Sequence, residues 1–290
     1  MIGAIIGDIV GSRFEFDFNN IKTKEFELFH EDCEWTDDSL MTVAVAAALM
    51  KWRDEGGDLR RLATESMREF ARAIPCGGYG GRFVDWLFGD NPRPYNSWGN
   101  GSAMRVSACG WIGTSLDEAK SLSLQVTDVT HNHPEGIKGA EATAVAIWLA
   151  RQGWKIPEMR AHVVENYYPM NFTLDEIRPT YHMDESCQGS VPQALEAFFE
   201  STSFEDAIRN AVSIGGDSDT IAAIAGSVAE AYWGVPRDLA AKAEAYLEPA
   251  MLEVLRRFQE RYGDPADGRS ALEYPQFTDG CADNTPENIG

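Results

Sequence analysis

Apolar residues run almost unbroken from position 39 to 50, SLMTVAVAAALM. A run with no polar stripe predicts a helix enclosed on all sides rather than one lying on a surface. The next pattern differs. Residues 58–73 set Leu62, Met67 and Phe70 at helical spacing among charges, an amphipathic helix ended by Pro75. A glycine-rich loop over 76–81 leads into a short helical run, 82–88, and a second loop over 91–101 carries Pro92, Pro94, Gly99 and Gly101. Helical signals return at 103–110 and 116–128. Pro134 suits a first helical turn and opens a helix that reaches 151. Further helical runs cover 157–167, 191–201, 204–214, 220–233 and 238–261. Strand alternation is scarce, turn spacing does not suit a sandwich, and no repeat of fixed period occurs. The pattern predicts an all-α fold: a single compact multi-helix domain over 1–262, then an irregular tail over 263–290 where Gly, Pro, Asp and Asn are plentiful.

Composition agrees and adds limits. A chain of 290 residues, 44% of them hydrophobic, can bury a sizeable core. Its 46 acidic residues against 25 Lys and Arg give a formal net charge of -21. Such a surface repels nucleic-acid phosphates and anionic lipids, so nucleic-acid binding is not expected. The five cysteines are odd in number, widely spaced and without a C-x-x-C pair, which argues against a disulfide framework or a zinc site. A reducing cytoplasm is the expected compartment. The apolar start lacks a basic n-region and is interrupted by Asp8, unlike a signal peptide. No apolar stretch is long enough to span a membrane.

The chemistry gathers at two helix starts. Thr36, Asp37, Asp38 and Ser39 stand immediately before the enclosed helix. N-capping accounts for one of these residues, because a Thr or Asp oxygen accepts from free backbone N–H groups and negative charge suits that end of a helix. It does not need all of them. Gly215, Gly216, Asp217, Ser218, Asp219 and Thr220 open a second apolar helix in the same way, the glycines permitting a sharp turn. Two buried helices in one core can bring their N-termini together. Four carboxylates in one small volume cannot all stay ionised unaided. Hard divalent cations resolve this, and carboxylate and hydroxyl oxygens suit magnesium or manganese.

These two motifs, TDDS at 36–39 and GGDSDT at 215–220, resemble those of the ADP-ribosylglycohydrolase family. Three further segments agree in order. GAIIGDIVGSRFE at 3–15 is similar to the family's opening helix and following glutamate, GNGSAMR at 99–105 to its ligand-cradling loop, and THNHPEG at 130–136 to its histidine-bearing helix start. Ser218 departs from the Thr that many members carry. The resemblance implies the family's all-α fold with two Mg2+ or Mn2+ ions held by Thr36, Asp37, Asp38, Asp217, Asp219 and Thr220. It implies that Ser97, Gly99, Asn100, Gly101 and Ser102 surround the ligand's phosphates, with His131 near the ribose or diphosphate. A glycine-rich turn exposing N–H groups, followed by the positive end of a helix, suits that task. Glu15 is expected to gate the site or move a proton, and Asp37 or Asp38 to orient the attacking water.

The implied activity is metal-dependent hydrolysis of the glycosidic bond between ADP-ribose and a protein side chain, arginine ahead of serine. The partner is then an ADP-ribosylated protein or another ADP-ribose conjugate. Alternatives keep the site and change its use: hydrolysis of a free derivative or a modified nucleic-acid base, ADP-ribose binding without cleavage, or metal-dependent phosphate hydrolysis. Clustered charges are costly to bury, which disfavours a purely structural role.

Overall fold

In the computed structural model, which describes residues 1–263, the chain opens with a helix that hydrophobic periodicity alone does not announce. Helix α1 (Ile2–Ser12) buries every residue from Ile2 to Gly11. Gly3, Gly7 and Gly11, four apart, lie on one face. A Cβ on Gly3 would stand 2.3 Å from the carbonyl oxygen of Gly226, on Gly7 2.0 Å from that of Ala222, and on Gly11 2.5 Å from that of Ser218. The partner is α13 (Ser218–Trp233). Pairing 3 with 226, 7 with 222 and 11 with 218 runs antiparallel, so the end of α1 meets the start of α13. The glycines let the two backbones touch, and that contact brings Asp8 to the second acidic motif.

The enclosed helix, α2, spans Asp37–Glu55, longer than the apolar run because polar residues continue the helix at both ends. Thr36 caps it, its side chain accepting from the Asp38 amide. Against it packs α3 (Leu59–Ala73), capped by Asp58, and α4 (Gly81–Phe88) packs on α3. The run at 103–110 is two short helices, α5 (Gly101–Met104) and α6 (Ser107–Ile112), separated at Arg105 and Val106. Then follow α7 (Leu116–Thr127), α8 (Pro134–Arg151), α9 (Ile156–Asn166) and the single turn α10 (Leu174–Ile177). Helix α11 (Cys187–Phe199) starts four residues earlier than its apolar run, because Ser186 caps it and Pro192 is accommodated inside. After α12 (Phe204–Ser213) and α13, the stretch at 238–261 divides into α14 (Arg237–Glu244) and α15 (Pro249–Tyr262). Pro249 forces that break: it lacks the N–H that a continuous helix would use.

Among the described residues there is no strand, only an isolated bridge between Gly99 and Ser186. Helices α1, α2, α8, α11 and α13 supply nearly half of the core residues. No helix among the described residues is long and apolar enough to cross a membrane. Cys33, Cys76, Cys109 and Cys187 are free thiols, whereas Cys281 and, apart from Gly263, the tail expected over 263–290 lie outside the described residues.

Candidate active site

The starts of α2 and α13 meet, as the two acidic motifs required. Thr220 donates its hydroxyl to Asp38 Oδ2 at 3.1 Å, joining one motif to the other. Asp219 Oδ1 accepts from the Thr220 amide at 2.8 Å, and Asp217 Oδ2 accepts from Asn100 Nδ2 at 2.6 Å. Two groups of carboxylates result, Asp8 with Asp38 and Asp219, and Glu15 with Asp217 and Asp219, each with oxygens within 4.8 Å of one another. Asp219 belongs to both.

Asp8 is the residue that the sequence reading passed over. It is fully buried. Its Oδ1 accepts the Thr36 hydroxyl at 2.7 Å, and its Oδ2 accepts the Thr36 amide at 2.9 Å, the Ser39 amide at 3.1 Å and the Ser39 hydroxyl. It therefore holds the first turn of α2 in place. The available signal was an acid in the middle of an apolar helix, which buries a charge that must be compensated.

Burial raises every one of these carboxyls, and like charges add to it at Asp37, Asp38 and Asp219. Asp8 is pushed up to about 6 by burial, against the opposing hydrogen bonds from Ser39 and Thr36. Asp37 rises to about 8 through burial and the charges of Asp8 and Asp217. Asp38 and Asp219 are lifted well above the carboxylate range by burial and by neighbouring aspartates, and Asp217 is raised by burial. Asp38 Oδ1 is buried with no hydrogen-bond partner. An all-oxygen donor set, a shared carboxylate and an unpartnered buried oxygen fit a hard divalent cation.

A cavity of about 520 Å³ opens over this floor. Glu15, Asp37, Asp38, Ser97, Gly99, Asn100, Gly101, His131, Asp217, Asp219 and Thr220 all line it. Two expected residues stand behind the wall. Thr36 is occupied with Asp8 and with the α2 cap, and Ser102 is buried with its hydroxyl on Gly136 O at 2.8 Å and Gly99 O at 3.2 Å. The turn at 99–101 is fastened from outside: the Asn100 amide donates to Glu185 O at 2.8 Å and the Cys187 amide to Trp98 O at 2.9 Å. Helix α5 has only four residues, so it carries little of the dipole expected beyond this turn. Positive charge comes instead from Arg105, 1% exposed and on the cavity wall, which the sequence reading did not select. Tyr79, Phe83 and Tyr95 also line the cavity and give it an aromatic side.

Glu15 sits at the mouth on a loop that is tied down. Asn20 Nδ2 donates to Phe14 O and Phe16 O at 2.8 and 2.9 Å, while Asn20 Oδ1 accepts the Gly216 amide at 2.6 Å. Asp17 Oδ1 accepts the Met183 amide at 2.9 Å, which ties the loop to a second cavity-lining segment. Burial and the charge of Asp217 push the half-buried Glu15 up to about 7. A larger, open hollow of about 1060 Å³ on α3 contains none of these acids. Its arginines are engaged, Arg60 with Asp128 and Arg68 with the carbonyls of Trp86 and Gly89.

The chain resembles known proteins over most of its length. The family model described as ADP-ribosylglycohydrolase matches residues 1–266. The chain is 26% identical over 279 residues to ADP-ribosylarginine hydrolase Tri1 of Pseudomonas putida (strain GB-1), covering 81% of this chain and 70% of that protein. It is 25% identical over 331 residues to ADP-ribosylhydrolase ARH3 of Homo sapiens, covering 87% and 90%. A solved structure, an ADP-ribosylglycohydrolase-related protein complex, superposes with a TM-score of 0.65 at 21% identity over 89% of this chain and 95% of that one, a likeness of fold. With a family match spanning nearly the whole chain and the motifs meeting in one cavity, this protein belongs to the ADP-ribosylglycohydrolase family.

Proposed function

We propose that this protein is a magnesium- or manganese-dependent hydrolase that releases ADP-ribose from a modified protein side chain, with arginine as the acceptor. The observation that carries the reading is the convergence of Asp38, Asp217 and Asp219 from two helix starts beneath a cavity whose other wall is the Gly99–Gly101 turn and His131. Family membership supports the reaction class, and the names of the relatives in Pseudomonas putida and Homo sapiens agree with it.

Asp37, Asp38, Asp217 and Asp219, with Thr220, would hold two divalent ions, while Thr36, expected among the ligands, is engaged by Asp8 and fixes the start of α2 instead. Bound there, the ions would supply charge to hold ribose hydroxyls and to polarise a water. The protein's own groups do the rest. Ser97, the Gly99–Gly101 turn, Asn100 and His131 fix the diphosphate, with Ser102 supporting the turn from below. This holds the distal ribose over the floor in one orientation, which lowers the entropic part of the barrier. Glu15, or Asp37 or Asp38, accepts a proton from the water. The water oxygen bonds to C1 of the ribose as the bond from C1 to the acceptor nitrogen breaks, and the proton that the carboxylate took from the water passes to the leaving nitrogen, which restores the carboxylate.

The rim favours arginine. Glu15, Glu185 and Asp184 lie along the mouth and its adjoining hollow, and Phe16 and Phe18 stack beside it with centroids 5.7 Å apart. Carboxylates and exposed aromatic faces suit a planar guanidinium, which pairs and stacks where a serine hydroxyl cannot.

The test is release of free ADP-ribose from one peptide modified on arginine and one modified on serine, with Mg2+, with Mn2+ and with a chelator. Metal-dependent release from the arginine peptide is expected. Release from the serine peptide alone would overturn the acceptor, and release undiminished by the chelator would overturn the metal requirement.

A further inference from the structure

One polar chain in the cavity wall has no part in the metal floor. Arg105 is enclosed between α5 and α6, donates from Nη2 to Thr130 Oγ1 at 2.6 Å and lies over the Phe83 ring at 5.4 Å. Its Nε is buried with no hydrogen-bond partner. Thr130 is fully buried, and its Oγ1 is 2.7 Å from His131 Nδ1 and 3.3 Å from Thr127 O. On the other side of the ring, Nε2 faces the turn: a Cβ on Gly99 would stand 3.6 Å from it, and on Gly101 3.7 Å.

A threonine hydroxyl has one proton and two lone pairs. Arg105 takes one lone pair, and its charge polarises the O–H into a stronger donor and a weaker acceptor. That single proton goes to one of two acceptors. The 2.7 Å contact with Nδ1 is a full hydrogen bond, while the 3.3 Å contact with the Thr127 carbonyl is long for an O–H donor. Nδ1 then accepts, and the ring proton lies on Nε2. Burial and the nearby charges of Arg105 and Arg82 keep the imidazole neutral, holding it well below its usual range. Tyr95, tilted against the ring at 6.1 Å, completes its surroundings.

We propose that Arg105 and Thr130 are positioning residues that hold His131 as a neutral imidazole with its proton on Nε2, aimed as a donor at an anionic or hydroxyl oxygen lying over the Gly99–Gly101 turn. The identity of that oxygen as part of ADP-ribose rests on the function proposed above. The tautomer does not.

The first measurement is therefore made without ligand. Nitrogen NMR of histidine-labelled protein, with His131 assigned by its loss in His131→Asn, reports which ring nitrogen carries the proton. The expected spectrum has Nδ1 unprotonated in the parent and in Thr130→Ser, and a shift toward mixed tautomers in Thr130→Val. ADP-ribose affinity, read by calorimetry, is expected to fall about tenfold in Thr130→Val and to recover in Thr130→Ser. Should Thr130→Val fail to fold, the parent and Thr130→Ser spectra still decide. A proton on Nδ1 in the parent, or a Thr130→Val spectrum identical to the parent's, overturns the proposal. Failure of the parent to bind ADP-ribose, with the expected tautomer present, overturns the ligand and leaves the relay standing.

Discussion

Asp38 and Asp219 are raised because each is buried and each faces other aspartates, so the metal-free site is held together against its own charge. Asp219→Asn puts a neutral group of nearly the same shape there, one that cannot take up the charge that its neighbours oppose. It is expected to leave the metal-free melting temperature at or above the parent's, while abolishing the rise on adding Mg2+. For the parent, that rise corresponds to about 2.7 kcal/mol at a concentration about 100 times Kd. A fall in the metal-free protein would contradict the repulsion argument. Asp37→Asn combined with Asp219→Asn is expected to eliminate turnover with the helical circular-dichroism signal intact, and turnover at the parent's rate would overturn the metal-centre reading. The same residues fix a pH dependence. Carboxyls raised in the fold favour the protonated form, so their contribution to stability is present at low pH and lost as pH rises through the folded values, about 6 for Asp8, 7 for Glu15 and 8 for Asp37. Thermal unfolding in chelator should therefore show a falling melting temperature from pH 6 to pH 8, and Mg2+ should flatten that slope.

At the scale of elements, the antiparallel contact of α1 and α13 decides whether a site exists. Gly7→Ala would place a methyl 2.0 Å from the Ala222 carbonyl oxygen and 2.5 Å from the Ala223 nitrogen, both backbone atoms that cannot turn aside. Denaturant unfolding is expected to show a loss of about 3 kcal/mol. Gly77→Ala, with nothing within 4 Å of the added carbon, should stay within about 0.5 kcal/mol of the parent. Equal effects at the two positions would mean that α1 does not depend on close approach. These elements were unequally legible. The enclosed α2 and the amphipathic α3 showed their periodicity plainly. Helix α1 did not: its glycines weaken helix propensity, and their reason for being there is a partner more than 200 positions away.

Across the whole molecule, a net charge of -21 draws cationic peptides toward the surface, and the rim carboxylates Asp184 and Glu185 would act on them last. Asp184→Asn with Glu185→Gln is expected to weaken binding of an arginine-modified peptide about tenfold, and added salt should weaken the parent's binding likewise. Affinity for free ADP-ribose should stay within about twofold. Equal losses for peptide and free ADP-ribose would place these acids in the ADP-ribose site instead of at the acceptor. Local pattern was enough to determine the all-α class, the two acidic helix starts and the glycine turn, because capping, periodicity and turn chemistry act between residues close in the chain. Asp8, Arg105 and the order of the wall from Arg105 through Thr130 to His131 were decided only by tertiary packing. A buried charge in an apolar helix reads as an isolated exception until the fold shows which distant hydroxyls, amides and rings surround it.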